Sequence, residues 1–307
     1  DGVGAFSVMA SRLDGGESDN GAKRDLTTAS GSLKFDIGDS VRGRIFGRIA
    51  DGELQRFPDD SGGEGLAAIR AKERAEDLTA LIGATASADL TDDWTIKFDV
   101  SYFDQEKNVV SPGVAPGLRD PFGIPASQTE ASIERARGAI VNQINVSPTL
   151  VLSAGVDVEV EKGESAGALD FGAFALPTNF EDRRTVVGNV LEARYEGLEN
   201  LTLQGSIRLD WTSDHGEAFS PRLGALYFVE PLNLELRANW SEGFKTPSFF
   251  ALSDPVVGNA ALQPETSRSF DVGVTKYFED ARGWIDVTAF YNQFFDLIDF
   301  DAGPPPR

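Results

Sequence analysis

Leu232-Asn233-Leu234-Glu235-Leu236-Arg237-Ala238-Asn239-Trp240 decides the fold. Its even positions are Leu, Leu, Leu, Ala and Trp, and its odd positions are Asn, Glu, Arg and Asn. Successive side chains of a strand point to opposite faces, so this run has one apolar and one polar face. The period recurs in 201–211, where Leu201, Leu203, Ile207, Leu209 and Trp211 oppose Thr202, Gln204, Ser206, Arg208 and Asp210. Residues 41–49, 94–102 and 270–278 follow the same rule. A soluble sandwich also alternates, so the pattern alone leaves open what covers the apolar faces.

Strand length and the rhythm of the connections favour a bilayer. The alternating runs extend over about 10 to 14 residues, which fits the roughly 9 to 11 that a tilted strand needs to cross a membrane and exceeds the usual 5 to 6 of soluble strands. Short connections at 38–40, 91–93, 147–149, 197–200, 230–231 and 279–282 alternate with longer ones at 14–25, 53–76, 108–130, 163–180, 212–218 and 245–265. Transmembrane barrels have short periplasmic turns and longer extracellular loops, so the expectation is an all-β, antiparallel up-and-down transmembrane β-barrel with about thirteen strands in this segment. Arg42, Arg44 and Arg48 share one strand face, and Asp157, Glu159 and Glu161 share another. Facing lipid at the midplane, an Arg or Lys costs about 2 to 4 kcal/mol, so both sets are expected in the lumen, guiding a plug or solute or pairing across strands. Trp94, Tyr102, Trp211 and Trp240 lie near strand ends, as interfacial girdles require.

The last quarter of the chain contains Ser220-Pro221-Arg222-Leu223-Gly224, Glu242-Gly243-Phe244-Lys245-Thr246-Pro247-Ser248, Gly258-Asn259, Leu262-Gln263-Pro264-Glu265-Thr266-Ser267 and Asp296-Leu297-Ile298-Asp299-Phe300. In this order and spacing they resemble the barrel of TonB-dependent outer-membrane receptors. The resemblance implies a place in the bacterial outer membrane and energised uptake of a scarce large solute, such as a ferric siderophore or cobalamin-like chelate. It further implies a plug domain and a TonB-contacting segment elsewhere in the polypeptide. Such transporters close with about 22 strands, so residues 1–307 are expected to be one segment of a barrel, without plug or final strands. A passive porin or structural barrel would share the alternation and is the alternative.

Composition narrows the function classes. The formal charge is -21, which disfavours a nucleic-acid surface because that needs a basic field. There is no cysteine for a disulfide or thiolate site. No linker or composition shift divides the chain, so a single segment over 1–307 is expected.

Asp51, Glu53, Asp59, Asp60 and Glu64 crowd one expected loop with Gly52, Gly62, Gly63 and Gly65. Hard cations take several carboxylate and carbonyl oxygens, so Asp51, Glu53, Asp59 and Asp60 are candidate calcium ligands, a hydrated acidic loop being the competing reading. Some cobalamin receptors of the resembling family use calcium in such loops. Asp59, Asp60, Glu64, Phe249 and Phe250 are the candidate ligand contacts, because pockets of plugged barrels open at their mouths. The only histidine, His215, precedes Ser220. That serine lacks a Gly-x-Ser-x-Gly context, so no enzyme is expected, and His215 reads as an exposed residue of a tight turn.

Overall fold

The computed structural model describes residues 4–18, 21–58, 67–116, 122–278 and 283–299. Among these residues fourteen strands form one sheet, β1 Ala5–Glu17, β2 Lys23–Ile37, β3 Val41–Arg56, β4 Glu73–Thr91, β5 Trp94–Ser111, β6 Ala126–Ser147, β7 Leu150–Asp170, β8 Ala175–Pro177, β9 Phe180–Leu198, β10 Leu201–Thr212, β11 Gly216–Val229, β12 Leu234–Lys245, β13 Glu265–Phe278 and β14 Gly283–Phe295. Each strand pairs antiparallel with its neighbours in the chain, except that the three-residue β8 pairs only β7, and β9 takes the next place beside β7. The path of thirteen strands is the expected up-and-down meander. The sheet is not closed: among the described residues β1 pairs only with β2, and β14 only with β13.

Register carries the two faces from strand to strand. Val272 stands opposite Ala238 and Ala289, and Ala238 opposite Ala225. Leu203 stands opposite Ala225 and Tyr195. Leu203, Leu209, Val272 and Val274 are exposed. The alternate residues form the polar face, where Arg208 bonds Asp157 and Asp210 and Arg237 bonds Asp286. Among the described residues, two prolines apart, the only buried hydrophobic side chains are Phe57 and Ala67. A sandwich would bury its apolar face on a second sheet. A wall one sheet thick instead leaves it to lipid. On β5 the lipid face runs from Trp94 to Tyr102, roughly 26 Å of strand and about 20 Å of depth at the usual tilt, close to a bilayer's apolar band.

Two boundaries differ from expectation for physical reasons. β6 has 22 residues and β7 has 21, so much of 108–130 and 163–180 is ladder rather than loop. Beyond the membrane both faces are wet, alternation fades, and the sequence no longer announces a strand although backbone pairing continues. Conversely, 232–233 leaves the strand expected there: Glu230–Leu232 is a 3-10 turn and Asn233 has φ 44. Pro231 supplies no N–H to a ladder, and asparagine tolerates the left-handed region. Gly38, at φ 60 in the β2–β3 turn, meets the same demand without a Cβ.

Candidate functional site

At the long-loop end, β7, β9, the β10–β11 turn and the connection 246–264 converge on Arg184. Its guanidinium donates from Nε to Asp214 Oδ2 at 2.6 Å, from Nη1 to Thr246 Oγ1 at 2.8 Å and from Nη2 to the Pro247 carbonyl at 2.8 Å. Glu161 Oε2 lies 3.7 Å away. Arg184 is only 4% exposed. A fixed planar fork serves this role because it addresses several acceptors at once.

The 246–264 connection is built to meet it. Pro247 is fully buried. Ser248 then caps the short helix α1 (Phe249–Ser253) by accepting from Ala251 N at 3.1 Å, as N-cap serines do. Asp254 ends the turn by accepting from Val256 N and Val257 N. The Phe249 ring packs under Arg184, 4.9 Å from guanidinium carbon to centroid, and over Gly163, where a Cβ would stand 2.4 Å from the ring. Ser253 Oγ donates to Asp182 Oδ2 at 2.6 Å. Gly163 shares a strand face with Asp157, and Asp182 and Arg184 alternate with Val187 and Leu191, so all three face the lumen. The connection therefore folds inward across the barrel wall. Phe250, the next residue of α1, is exposed.

His215 completes the attachment and corrects the expectation of an exposed turn residue. Its side chain is 7% exposed. Nε2 lies 3.1 Å from the Leu262 carbonyl at the far end of the same connection, contact that short-range sequence could not reveal. Nδ1 lies 3.2 Å from Asp214 Oδ2. Burial raises the Asp214 carboxyl, but Arg184 and His215 outweigh it and hold the group below the usual carboxylate range.

Further down the lumen the charges are largely matched. Arg208 reaches Asp157 and Asp210, each at 2.6 Å, and Arg135 bonds Glu161. Arg42 pairs with Asp89 at 2.8 Å, whereas Arg44 lies over the Phe46 ring. Lys34, Arg42, Arg44, Lys97 and Asp99 line a lumenal concavity of about 810 Å³ near the short turns.

The acidic candidates divide. Asp59, Asp60 and Glu64 lie outside the described residues. Asp51 and Glu53 belong to β3 rather than to a loop, on the same face as Ile45 and Ile49. They look away from the lumen, with Asp25, Glu76 and Glu106, into a concavity of about 1140 Å³ on the outer side of the sheet. Glu53 is bonded by Gln55 and Arg74. The ladder of β3 with β4 extends that far because backbone pairing, not side-chain polarity, sets its end. Among the described residues no group of three His, Asp or Glu side chains could hold a metal ion. Of the aromatic pair, Phe250 is presented at the mouth and Phe249 to the wall. Sequence reasoning missed Arg184: an arginine on the polar parity of β9 carries no local signal, and only register places it beside Glu161.

An antiparallel wall one sheet thick, with a lipid face, a charged lumen and an inward-folded connection at its mouth, is the wall of an outer-membrane β-barrel. The chain belongs to the TonB-dependent receptor family: the family model of the TonB dependent receptor-like β-barrel matches residues 13–307. The vitamin B12 transporter BtuB of Vibrio vulnificus (strain YJ016) is 30% identical over 193 residues, 63% of this chain and 29% of that protein. The iron-regulated outer membrane virulence protein of Vibrio cholerae serotype O1 (strain ATCC 39541 / Classical Ogawa 395 / O395) is 27% identical over 157 residues, covering 44% of this chain and 24% of that one. Among solved structures, FpvA of P. aeruginosa in a pyoverdine–iron complex superposes with a TM-score of 0.74 at 13% identity, covering 95% of this chain and 44% of that one. The siderophore receptor PirA from Acinetobacter baumannii gives 0.72 at 13% identity, covering 95% and 48%. The chain thus spans less than a third of these curated relatives and about half of these solved barrels. Its place is the bacterial outer membrane.

Proposed function

We propose that this segment is the wall of a receptor for TonB-dependent uptake of a scarce large chelate, either a cobalamin-like corrinoid or a ferric siderophore. The observation that carries the reading is the inward-folded 246–264 connection, pinned by Arg184 with Phe250 exposed beside it, in a chain of the TonB-dependent receptor family. Relatives described as a vitamin B12 transporter and as a receptor bound to a pyoverdine–iron complex support the substrate class. The polar lumen suits a plug domain of the same polypeptide, and the inner-membrane TonB complex would supply the energy. The role is transport and recognition rather than catalysis, since His215 is committed to a loop carbonyl. The comparisons lend no support to a passive porin.

The test uses the intact receptor. Trimming the tips at 59–65, 117–121 and 255–261 is expected to abolish growth on a limiting chelate and direct chelate binding while leaving barrel assembly intact. Phe250→Ala alone should weaken binding about tenfold, the scale of one exposed aromatic contact. Unchanged uptake after all three trims would remove loop recognition from the reading. Uptake that persists without TonB would favour a porin.

A further inference from the structure

The lumenal face of β2 to β5 departs from the matched charges on the rest of the wall. Lys34 stands directly opposite Arg44 on the neighbouring strand, and in the next row Arg42 and Lys97 flank Ser87. Like charges in direct cross-strand register weaken a ladder unless a counter-charge lies between them. The described residues supply little of it. Lys34 and Arg44 make no ion pair among them, and Arg44 lies 5.1 Å from the Phe46 ring centroid with its N–H fork unspent. Lys97 donates only to the uncharged Gln143, at 3.0 Å, and Arg42 alone has a carboxylate, Asp89 at 2.8 Å. Asp36 and Asp99 share the concavity of about 810 Å³ but pair with none of the four cations. Elsewhere on the lumenal face Arg135, Arg208 and Arg237 each hold a carboxylate. A surplus of cations is thus concentrated in one sector of a chain whose formal charge is -21.

We propose that Lys34, Arg42, Arg44 and Lys97 are a docking surface for an acidic patch of the plug domain of the same receptor polypeptide. This rests on the reading of the chain as the wall of a plugged receptor, and it says where and by what chemistry the plug is held. The extent of the surface selects a folded partner. Adjacent strands are about 4.8 Å apart, so the patch is roughly 14 Å wide from β2 to β5, and its two rows stand about 7 Å apart. A single phosphate or carboxylate cannot reach across it, whereas several carboxylates on one folded surface can. Its place selects a resident partner: the concavity lies near the short turns, away from the mouth, and cations fixed in opposition need a lasting counter-charge rather than a solute in transit. A guanidinium takes a carboxylate through two parallel N–H bonds, and the free fork of Arg44 is suited to that. On the facing sector Arg208, Asp157 and Asp210 are spent on one another. The plug is therefore held by charge on β2 to β5 and only packed against β7 to β10.

Carbodiimide coupling in the intact receptor in lipid nanodiscs tests this, because it joins an amine to a carboxylate only where the two touch. Lys34 and Lys97 are expected to become linked to Asp or Glu of plug peptides, and less so at high salt, which screens exposed charges. Lys34→Gln and Lys97→Gln should each remove its own links alone. Neutralising Lys34 and Arg44 together, as K34Q/R44Q, should raise amide hydrogen exchange in the linked plug peptides about tenfold, the low end for close charge pairs at an interface. The β10 and β11 ladder should keep its protection. Links confined to Asp36, Asp99 and other wall residues, in a receptor whose plug is otherwise protected inside the barrel, overturn the proposal and leave the transport reading standing. A lumen without a plug removes both. Unchanged plug exchange in K34Q/R44Q overturns the proposal too, and so does loss of the links to inorganic phosphate at an ionic strength where chloride spares them, which would assign the patch to a free anion. The wild-type links decide alone if a variant assembles poorly.

Discussion

Arg184 joins the start of the 246–264 connection to β9 and the β10–β11 turn through three hydrogen bonds while almost wholly buried. Removing one partner of such a cluster strands the others, which typically costs about 3 to 5 kcal/mol. Arg184→Met should therefore destabilise the loop end of the barrel by about that much and expose the α1 amides, read by denaturant unfolding in lipid and by exchange. Arg184→Lys should recover little of it, because a point charge cannot address Asp214, Thr246 and the Pro247 carbonyl together. Wild-type protection in Arg184→Met would show that Phe249 packing alone holds the helix. Gly163→Val offers an independent check, since even a Cβ would stand 2.4 Å from the Phe249 ring. The expected result is displacement of α1 with the lumen ladder intact, seen as loss of exchange protection confined to 249–254. Asp214 adds an acid limit. Its folded carboxyl is held below the ordinary range, so its contribution is fully present above the unfolded value and is lost as pH falls through the folded one. Protection of the connection should decline in strong acid, and Asp214→Asn should abolish that decline.

At the scale of the strand, the two faces have different tolerances. Val272 stands between Ala238 and Ala289 on the lipid side. Val272→Arg should cost about 2 to 4 kcal/mol in urea unfolding from liposomes, the midplane penalty for a cation in lipid. Gln204→Arg, one face away on β10 and in the lumen, should cost less than about 1 kcal/mol by the same measurement. Equal costs would mean that the faces are assigned wrongly. This part of the fold was legible in Leu234, Leu236, Arg237 and Asn239, because a boundary between lipid and water inscribes itself at period two. Above the membrane that boundary disappears. Hence β6 and β7 ran further than Glu130 and Gly163 suggested, and Asp51 and Glu53 turned from loop residues into outward-facing strand residues. The mouth was legible only in part. The Thr246-Pro247-Ser248 phrase marked the right connection, but its partners Arg184 and Asp182 lie more than sixty residues earlier in the chain, where nothing local distinguishes them.

At the scale of the whole molecule, the meander needs partners it does not find within itself. β1 and β14 each leave one backbone edge unpaired among the described residues, and a row of free N–H and C=O groups is not tolerated in hydrocarbon. The apolar residues exposed on the lipid face of β14, with Ile285, Val287 and Tyr291 more than half accessible, mark an edge prepared for a neighbouring strand and for lipid rather than for water. Bending this wall further to bring β1 onto β14 would crowd a lumen whose connection already folds inward across β9. Residues 1–307 refolded alone in detergent or lipid are therefore expected to give aggregates or edge-paired oligomers, and no heat-resistant monomer on a semi-native gel. A monomeric pore whose mobility changes on boiling would contradict this and would require β1 and β14 to pair. Supplying the remaining strands of the receptor in the same refolding mixture should rescue the heat-modifiable species, since edge pairing is the missing interaction and both edges are available.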